Sequence, residues 1–203
     1  MPRNRRPCSY ILGGNMSQTP LKMTIEEYLS YDDGTDKRYE LDENGVLVEM
    51  PPGTGKHEAI ITFLVVRFFL EKERLGLTLE PRSNGVEVMT KKQPRRPDVL
   101  MITPQQSASI EKTSAILKTP PPLIVEVVSP ESVDRDYNIK TLEYAAFGVD
   151  EYWIVDPLED KVTVCLLIGK VYNQTVFTGN QQIVSLTFPQ INATAQKILA
   201  PQL

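Results

Sequence analysis

Between His57 and Leu75, apolar residues return every three or four positions. Ile60, Ile61, Leu64, Val65, Phe68 and Phe69 form one stripe of a helix, with Arg67, Glu71, Lys72 and Glu73 on or near the other face. Gly76 fits the left-handed residue that closes such a helix. A shorter helix is predicted from Thr24 through Leu29, where Thr24 and Glu27 have capping-box spacing. A third opens near Asp134, runs to about Phe147 and closes at Gly148. Short β-rich runs fill the rest. Tyr39–Leu41 and Val46–Met50 flank Asn44-Gly45, a hairpin signal. Leu77–Glu80 and Val86–Met89 flank the turn Ser83-Asn84-Gly85, and Pro97–Ile102 is a further strand. Leu123–Val128 is apolar enough for a buried central strand. Glu151–Asp156 ends at Pro157, and Lys161–Ile168 with Val171–Val176 makes a hairpin turning at Gly169-Lys170. Residues 103–122 read as loop with a helical turn near Ser109 to Leu117, and Ile183–Leu186 and the tail close the chain. The succession strand, helix, strand from Leu123 to Asp156 predicts a βαβ crossover and one parallel pair. The expected class is α/β, a central mixed β-sheet flanked by helices.

The chain has 203 residues, room for one domain with a substantial core. Residues 1–20 read as a disordered leader and 21–203 as a single domain. The net charge of -4 argues against coating nucleic acid by bulk charge. A local basic face is still expected from Lys91, Lys92, Arg95 and Arg96. Cys8 and Cys165 are the only cysteines, which leaves no zinc spacing or disulfide framework and suits a cytoplasmic setting. No apolar run reaches the length of a membrane span.

Candidate chemistry lies between Pro97 and Pro157. Asp98 opens one apolar strand and Glu126 sits inside another. A carboxylate bracketed by Leu123-Ile124-Val125 and Val127-Val128 is expensive without a partner. On neighbouring strands the two acids could share one cation. Mg²⁺ suits such a pair, because it accepts one or two carboxylates and keeps waters that a phosphate can replace. Lys140, on the predicted helix, would steady the phosphate as a point charge. The competing reading puts Lys140 in a surface ladder with Asp136 and Glu143. His57 reads as a helix-start residue, and Tyr144 and Trp153 as core. Gly53, Gly55 and Lys56 do not make a phosphate loop, because His57 stands where Ser or Thr is needed.

Arg96-Pro97-Asp98-Val99, Pro122 through Ser132, Asp136 with Lys140 and Tyr144, and Gly148 through Pro157 resemble the Uma2-like (DUF820) family. That family is abundant in cyanobacteria and assigned to the restriction-endonuclease-like PD-(D/E)xK superfamily. Tyr39-Glu40-Leu41, Gly45, Met50-Pro51 and His57 extend the resemblance, which covers Met23 to Pro157. It implies a restriction-endonuclease-like fold and Mg²⁺-dependent hydrolysis of nucleic acid, DNA above all, with Mn²⁺ as a substitute and a homodimer as the working form. Asp98 and Glu126 would bind the metal and Lys140 would act on the phosphate. Glu40 matches an acidic position that many members carry on an early helix, although here it reads as strand. The E-x-K pattern would put lysine where this chain has Val128, so the resemblance transfers that role to Lys140. The same departure motivates a rival: a catalytically inactive nucleic-acid-binding or regulatory module on the same fold.

Overall fold

Residues 20–42 and 44–202 are described in the computed structural model, so the expected leader lies outside them apart from Pro20. Thr24 caps α1 (Ile25–Leu29) in the reciprocal arrangement with Glu27 that the spacing predicts. β1 (Arg38–Leu41) and β2 (Leu47–Met50) pair as the expected antiparallel hairpin. α2 (Gly55–Leu75) starts at the Thr54 cap and ends at Gly76, which has φ 66. Phe69, expected on its buried stripe, is instead exposed, because one helical step from fully buried Phe68 turns it away from the sheet.

β4 (Glu87–Met89) forms where it is predicted, but β3 (Glu80–Ser83) begins only at the end of the expected Leu77–Glu80 strand and takes in Ser83 of the expected turn, and the two do not pair with each other. β3 pairs with β6 (Val99–Ile102) at the edge of the main sheet, a position that tolerates the missing N–H of Pro81. β4 pairs with β5 (Pro94–Arg95) and β7 (Ile116–Leu117) in a small second sheet. The segment read as loop holds a real helix, α3 (Pro104–Ile110), earlier than expected. Thr103 and Gln106 close its capping box and Pro104 stands in its first turn.

β8 (Leu123–Val127) and β9 (Glu151–Asp156) are parallel, as the crossover predicts. Between them run a π-helical segment (Arg135–Ile139) and α4 (Lys140–Phe147). β10 (Lys161–Ile168) and β11 (Val171–Thr178) form the last hairpin. α5 (Ala195–Leu199), absent from the sequence reading, follows the tail segment. The main sheet runs β11-β10-β9-β8-β6-β3, with every neighbouring pair antiparallel except β8 and β9.

The sheet has two differently furnished faces. Val99, Met101, Leu123, Val125, Trp153 and Val155 pack against Ile60, Leu64 and Phe68 of α2 and Ile198 of α5. Phe68 stacks on Phe188 and meets Trp153 edge-on. Each such side chain contributes roughly 1.5–3 kcal/mol. The other face carries Leu100, Ile124, Tyr152 and Cys165 against Tyr144 of α4. Among the described residues no helix is long and apolar enough to cross a membrane.

Candidate active site

β6 and β8 pair with Val99 opposite Val125 and Leu100 opposite Ile124. Asp98 directly precedes β6, where one further step of that register would bring it level with Glu126, and its charge acts on that carboxylate. Strand alternation puts both on the face that carries Leu100 and Ile124. Asp98 sits at the rim, its side chain 18% exposed. Its Oδ2 accepts the Val127 N–H at 2.7 Å. Glu126 lies deeper. Its Oε1 accepts the Tyr144 hydroxyl at 2.7 Å, and its Oε2 is 2.9 Å from Lys140 Nζ.

Lys140 is not in a surface ladder. Its side chain is 3% exposed, and Nζ also lies 3.1 Å from Asp136 Oδ1. α4 turns Lys140, Glu143 and Tyr144 inward and leaves Leu142 71% exposed, the reverse of an ordinary amphipathic helix. Glu143 pairs with Arg95, not Lys140, through Nε to Oε2 at 2.7 Å with both side chains buried. The Tyr144 ring is core, as expected, while its hydroxyl reaches Glu126.

Glu40 sits on β1, as its sequence context predicts, and is buried. Its Oε1 accepts the Arg96 N–H at 3.1 Å and its Oε2 lies 3.7 Å from the Arg95 guanidinium. Its charge acts on both Glu126 and Lys140. The basic face expected from Lys91 to Arg96 does not form as a unit. Arg95 is buried against Glu143 and Arg96 pairs with Glu87 at 2.6 Å, leaving only Lys91 and Lys92 exposed. Buried guanidinium groups require such partners, and carboxylates distant in sequence supply them.

His57 was expected only to start a helix. It does stand in the first turn of α2, and its Nε2 also comes within 3.4 Å of Asp98 Oδ2. No local pattern in the sequence marks this approach, which depends on how α2 meets the end of β6. Burial lowers the affinity of His57 for a proton, but the Asp98 and Glu58 carboxylates together outweigh that and raise it above the usual 6.5.

Burial pushes Glu126 up to about 8; the Lys140 ammonium opposes the rise, and the charges of Asp98 and Asp136 add to it. Burial acts to neutralise Lys140 as well, but Asp136 and then Glu126 hold it charged. Among the described residues no group of three or more His, Cys, Asp or Glu side chains is arranged to hold a metal. The donor set that is present, one carboxylate at the rim and one below it, offers only hard oxygens, which suits Mg²⁺ with waters completing its shell. A buried acid driven toward its proton by neighbouring negative charge is one that a divalent ion would favour in its ionised form.

A mixed sheet with one parallel pair, helices on both faces, and Asp, Glu and Lys meeting beside the crossover define a restriction-endonuclease-like α/β protein. Residues 25–196 match the model of the Uma2 family, described as "Putative restriction endonuclease", and the chain belongs to that family. The crystal structure of "a putative nuclease belonging to DUF820" from Anabaena variabilis ATCC 29413 superposes with a TM-score of 0.72 at 19% identity, over 88% of this chain and 98% of that one. At that identity the likeness shows the shared fold. No curated protein matches the chain.

Proposed function

We propose that the chain is a metal-dependent endonuclease hydrolysing phosphodiester bonds of nucleic acid, with DNA as substrate. The observation that supports this most is Glu126, buried within reach of the Asp98 charge, with Lys140 Nζ 2.9 Å away. Asp98 and Glu126 would hold Mg²⁺ or Mn²⁺, which would neutralise the phosphate and acidify a bound water. The Val127 N–H and His57 orient the Asp98 carboxylate. Lys140, kept charged by two acids, offers a fixed positive charge to the phosphate oxygens as negative charge grows there. Glu40 would add a contact through water. In this proposal residues 21–203 act as one domain, in the cytoplasm, as a homodimer whose two sites serve two strands.

Nicking of supercoiled plasmid tests the reading. The wild-type protein is expected to cleave with Mg²⁺ or Mn²⁺ and to stop in EDTA. Asp98→Asn, Glu126→Gln and Lys140→Met are each expected to slow cleavage about 100- to 1,000-fold. Equal cleavage by wild type and Glu126→Gln would remove Glu126 from the chemistry. Calorimetric titration with Mg²⁺ should show binding that Asp98→Asn loses.

One observation favours the second reading, a non-catalytic nucleic-acid-binding or regulatory module. Both Glu126 oxygens already have partners within the protein. That reading expects nucleic-acid binding with no cleavage and no heat of metal binding.

A further inference from the structure

A cavity of about 290 Å³ opens between α1, β1 and β4, with Tyr28, Tyr31, Lys37, Tyr39, Glu87 and Arg96 in its lining. None of these residues has a part in the site built on Asp98 and Glu126. Yet Arg96 stands two positions before Asp98, and its backbone N–H is held by Glu40.

The cavity wall has three chemical features. The first is aromatic: Tyr31 and Tyr39 meet edge to face with centroids 5.5 Å apart, and the Tyr28 ring lines the same space. The second is a polar edge. Arg96 Nη2 donates to Glu87 Oε1 at 2.6 Å, and the Tyr28 hydroxyl contacts the same oxygen at 3.1 Å. Glu87 Oε2 and Arg96 Nε are buried without a hydrogen-bond partner among the described residues, so this edge holds an acceptor and a donor that no described group satisfies. The third is charge: Lys37, paired at the surface with Glu49 at 2.8 Å, and Arg96, paired with Glu87, both line the wall.

These features exclude several ligands. A cation would meet Lys37 and Arg96, with Glu87 already paired to Arg96 and Glu49 to Lys37. An aliphatic ligand would bury the polar edge unpaired. A planar, hydrogen-bonding group satisfies the first two features, and negative charge on it can replace Glu49 at Lys37, because that pair is half exposed and weak. The volume is at the lower limit of ligand pockets, about 300–1,000 Å³, which suits one base and not two. We propose that this cavity takes a single unstacked nucleotide of the nucleic-acid strand, its base against the tyrosine rings and the Glu87–Arg96 edge and its phosphate toward Lys37. The inference rests on the nuclease reading for its substrate, and it places a strand contact beside the segment that delivers Asp98.

The test is a titration of the full chain in EDTA, where cleavage cannot intervene. The probe is an oligonucleotide carrying one 2-aminopurine, used as a single strand and again within a duplex. The fluorescence of 2-aminopurine changes when the base leaves its neighbours for another ring. A response from the single strand alone assigns the cavity to single-stranded nucleic acid; a response from the duplex as well assigns it to a base extruded from the helix. Tyr31→Ala should weaken binding about 5- to 100-fold, and Tyr31→Phe, which keeps the ring, should not. Lys37→Gln, at an exposed side chain, should weaken binding a few-fold and reduce its salt dependence. No fluorescence response from either probe overturns the proposal. So does an affinity that neither Tyr31→Ala nor Lys37→Gln alters. Plasmid cleavage that survives with no fluorescence response removes the cavity and leaves the nuclease reading standing. A response that depends on Tyr31, with no cleavage in Mg²⁺ or Mn²⁺, supports the cavity and removes the nuclease reading.

Discussion

Glu126 and Glu151 are buried glutamates on neighbouring parallel strands, and they are accommodated in opposite ways. Glu151 accepts two N–H groups, from Trp153 Nε1 and the Thr187 backbone, each at 2.7 Å. Those donors satisfy both oxygens on the side of the sheet where Trp153 packs with Phe68. Glu126 has a hydroxyl and an ammonium instead, with Asp98 and Asp136 adding negative charge. Burial of an acid therefore does not by itself mark a site. Glu151 ties the segment around Thr187 to the sheet. Glu126 instead shares one ammonium, that of Lys140, with another acid, Asp136.

The largest expected effect breaks the charged cluster. Lys140→Met leaves Asp136 and Glu126 buried without their common partner, which should lower stability by about 3–5 kcal/mol in urea unfolding, beside the about 100- to 1,000-fold slower cleavage. Adding Glu126→Gln and Asp136→Asn removes the uncompensated charge. The triple variant should recover most of the stability without regaining the lost cleavage rate. A triple variant as unstable as Lys140→Met would mean that packing, not charge, holds this region together. The matched change on the other side is Glu151→Gln, which turns an NH₂ group toward an N–H donor. It should cost about 1–3 kcal/mol while cleavage per folded molecule stays at the wild-type level.

Residue patterns carried much of this comparison, and their reach was local. The apolar bracket around Glu126, the crossover from Leu123 to Asp156 and the final hairpin were legible because each is a periodic or composition signal over a short stretch. The Thr103-Pro104 start of α3 is just as local, but the loop-like composition of residues 103–122 masks it. Other features depend on residues far apart in sequence. Glu151 is satisfied by Thr187, Arg95 by Glu143, and Asp98 is approached by His57. Without those pairings, Lys91 to Arg96 looks like one basic face when half of it is internal. Lys140 was legible only in part. Its spacing from Asp136 is that of a helix pair, but whether the pair faces water or sheet is set by how α4 packs. Exposed Leu142 shows that the packing runs against the usual hydrophobic rule.

The pH dependence of stability sharpens the contrast between the two glutamates. Glu126 has an ordinary value of 4.5 when unfolded and is pushed up to about 8 when folded. Between those values the folded chain binds the extra proton. Stability is therefore fully present below about 4.5 and falls as pH rises through 8. His57, raised above 6.5, adds a slope of the same sign at the upper end. Unfolding midpoints measured from pH 5 to pH 8 should decline in the wild type without metal. Glu126→Gln should flatten most of that decline, and Glu151→Gln should retain it. An undiminished decline in Glu126→Gln would place the titrating group elsewhere.

The smallest expected effect compares the two glycines that end the helices packed on either face. Gly76 closes α2 at φ 66 and Gly148 closes α4 at φ 97. A Cβ built on Gly76 meets nothing within 4 Å, and one on Gly148 meets only Pro120 Cγ at an ordinary 3.8 Å. Space is therefore not the issue at either site, and the backbone angle alone sets the penalty. Alanine in the left-handed region costs about 1–2 kcal/mol, and φ 97 lies farther from the tolerated well than φ 66. Gly148→Ala should therefore be the more destabilising of the two in urea unfolding. The functional consequences should separate further. Relief of strain at Gly76 moves the end of a helix whose last turn is remote from His57. Relief at Gly148 is transmitted along the short α4, which carries both Tyr144 and Lys140 onto Glu126. Cleavage per folded molecule should thus fall in Gly148→Ala and hold in Gly76→Ala. Equal losses in both would show that Lys140 is positioned by the sheet and the π-helical segment alone, without help from the far end of α4.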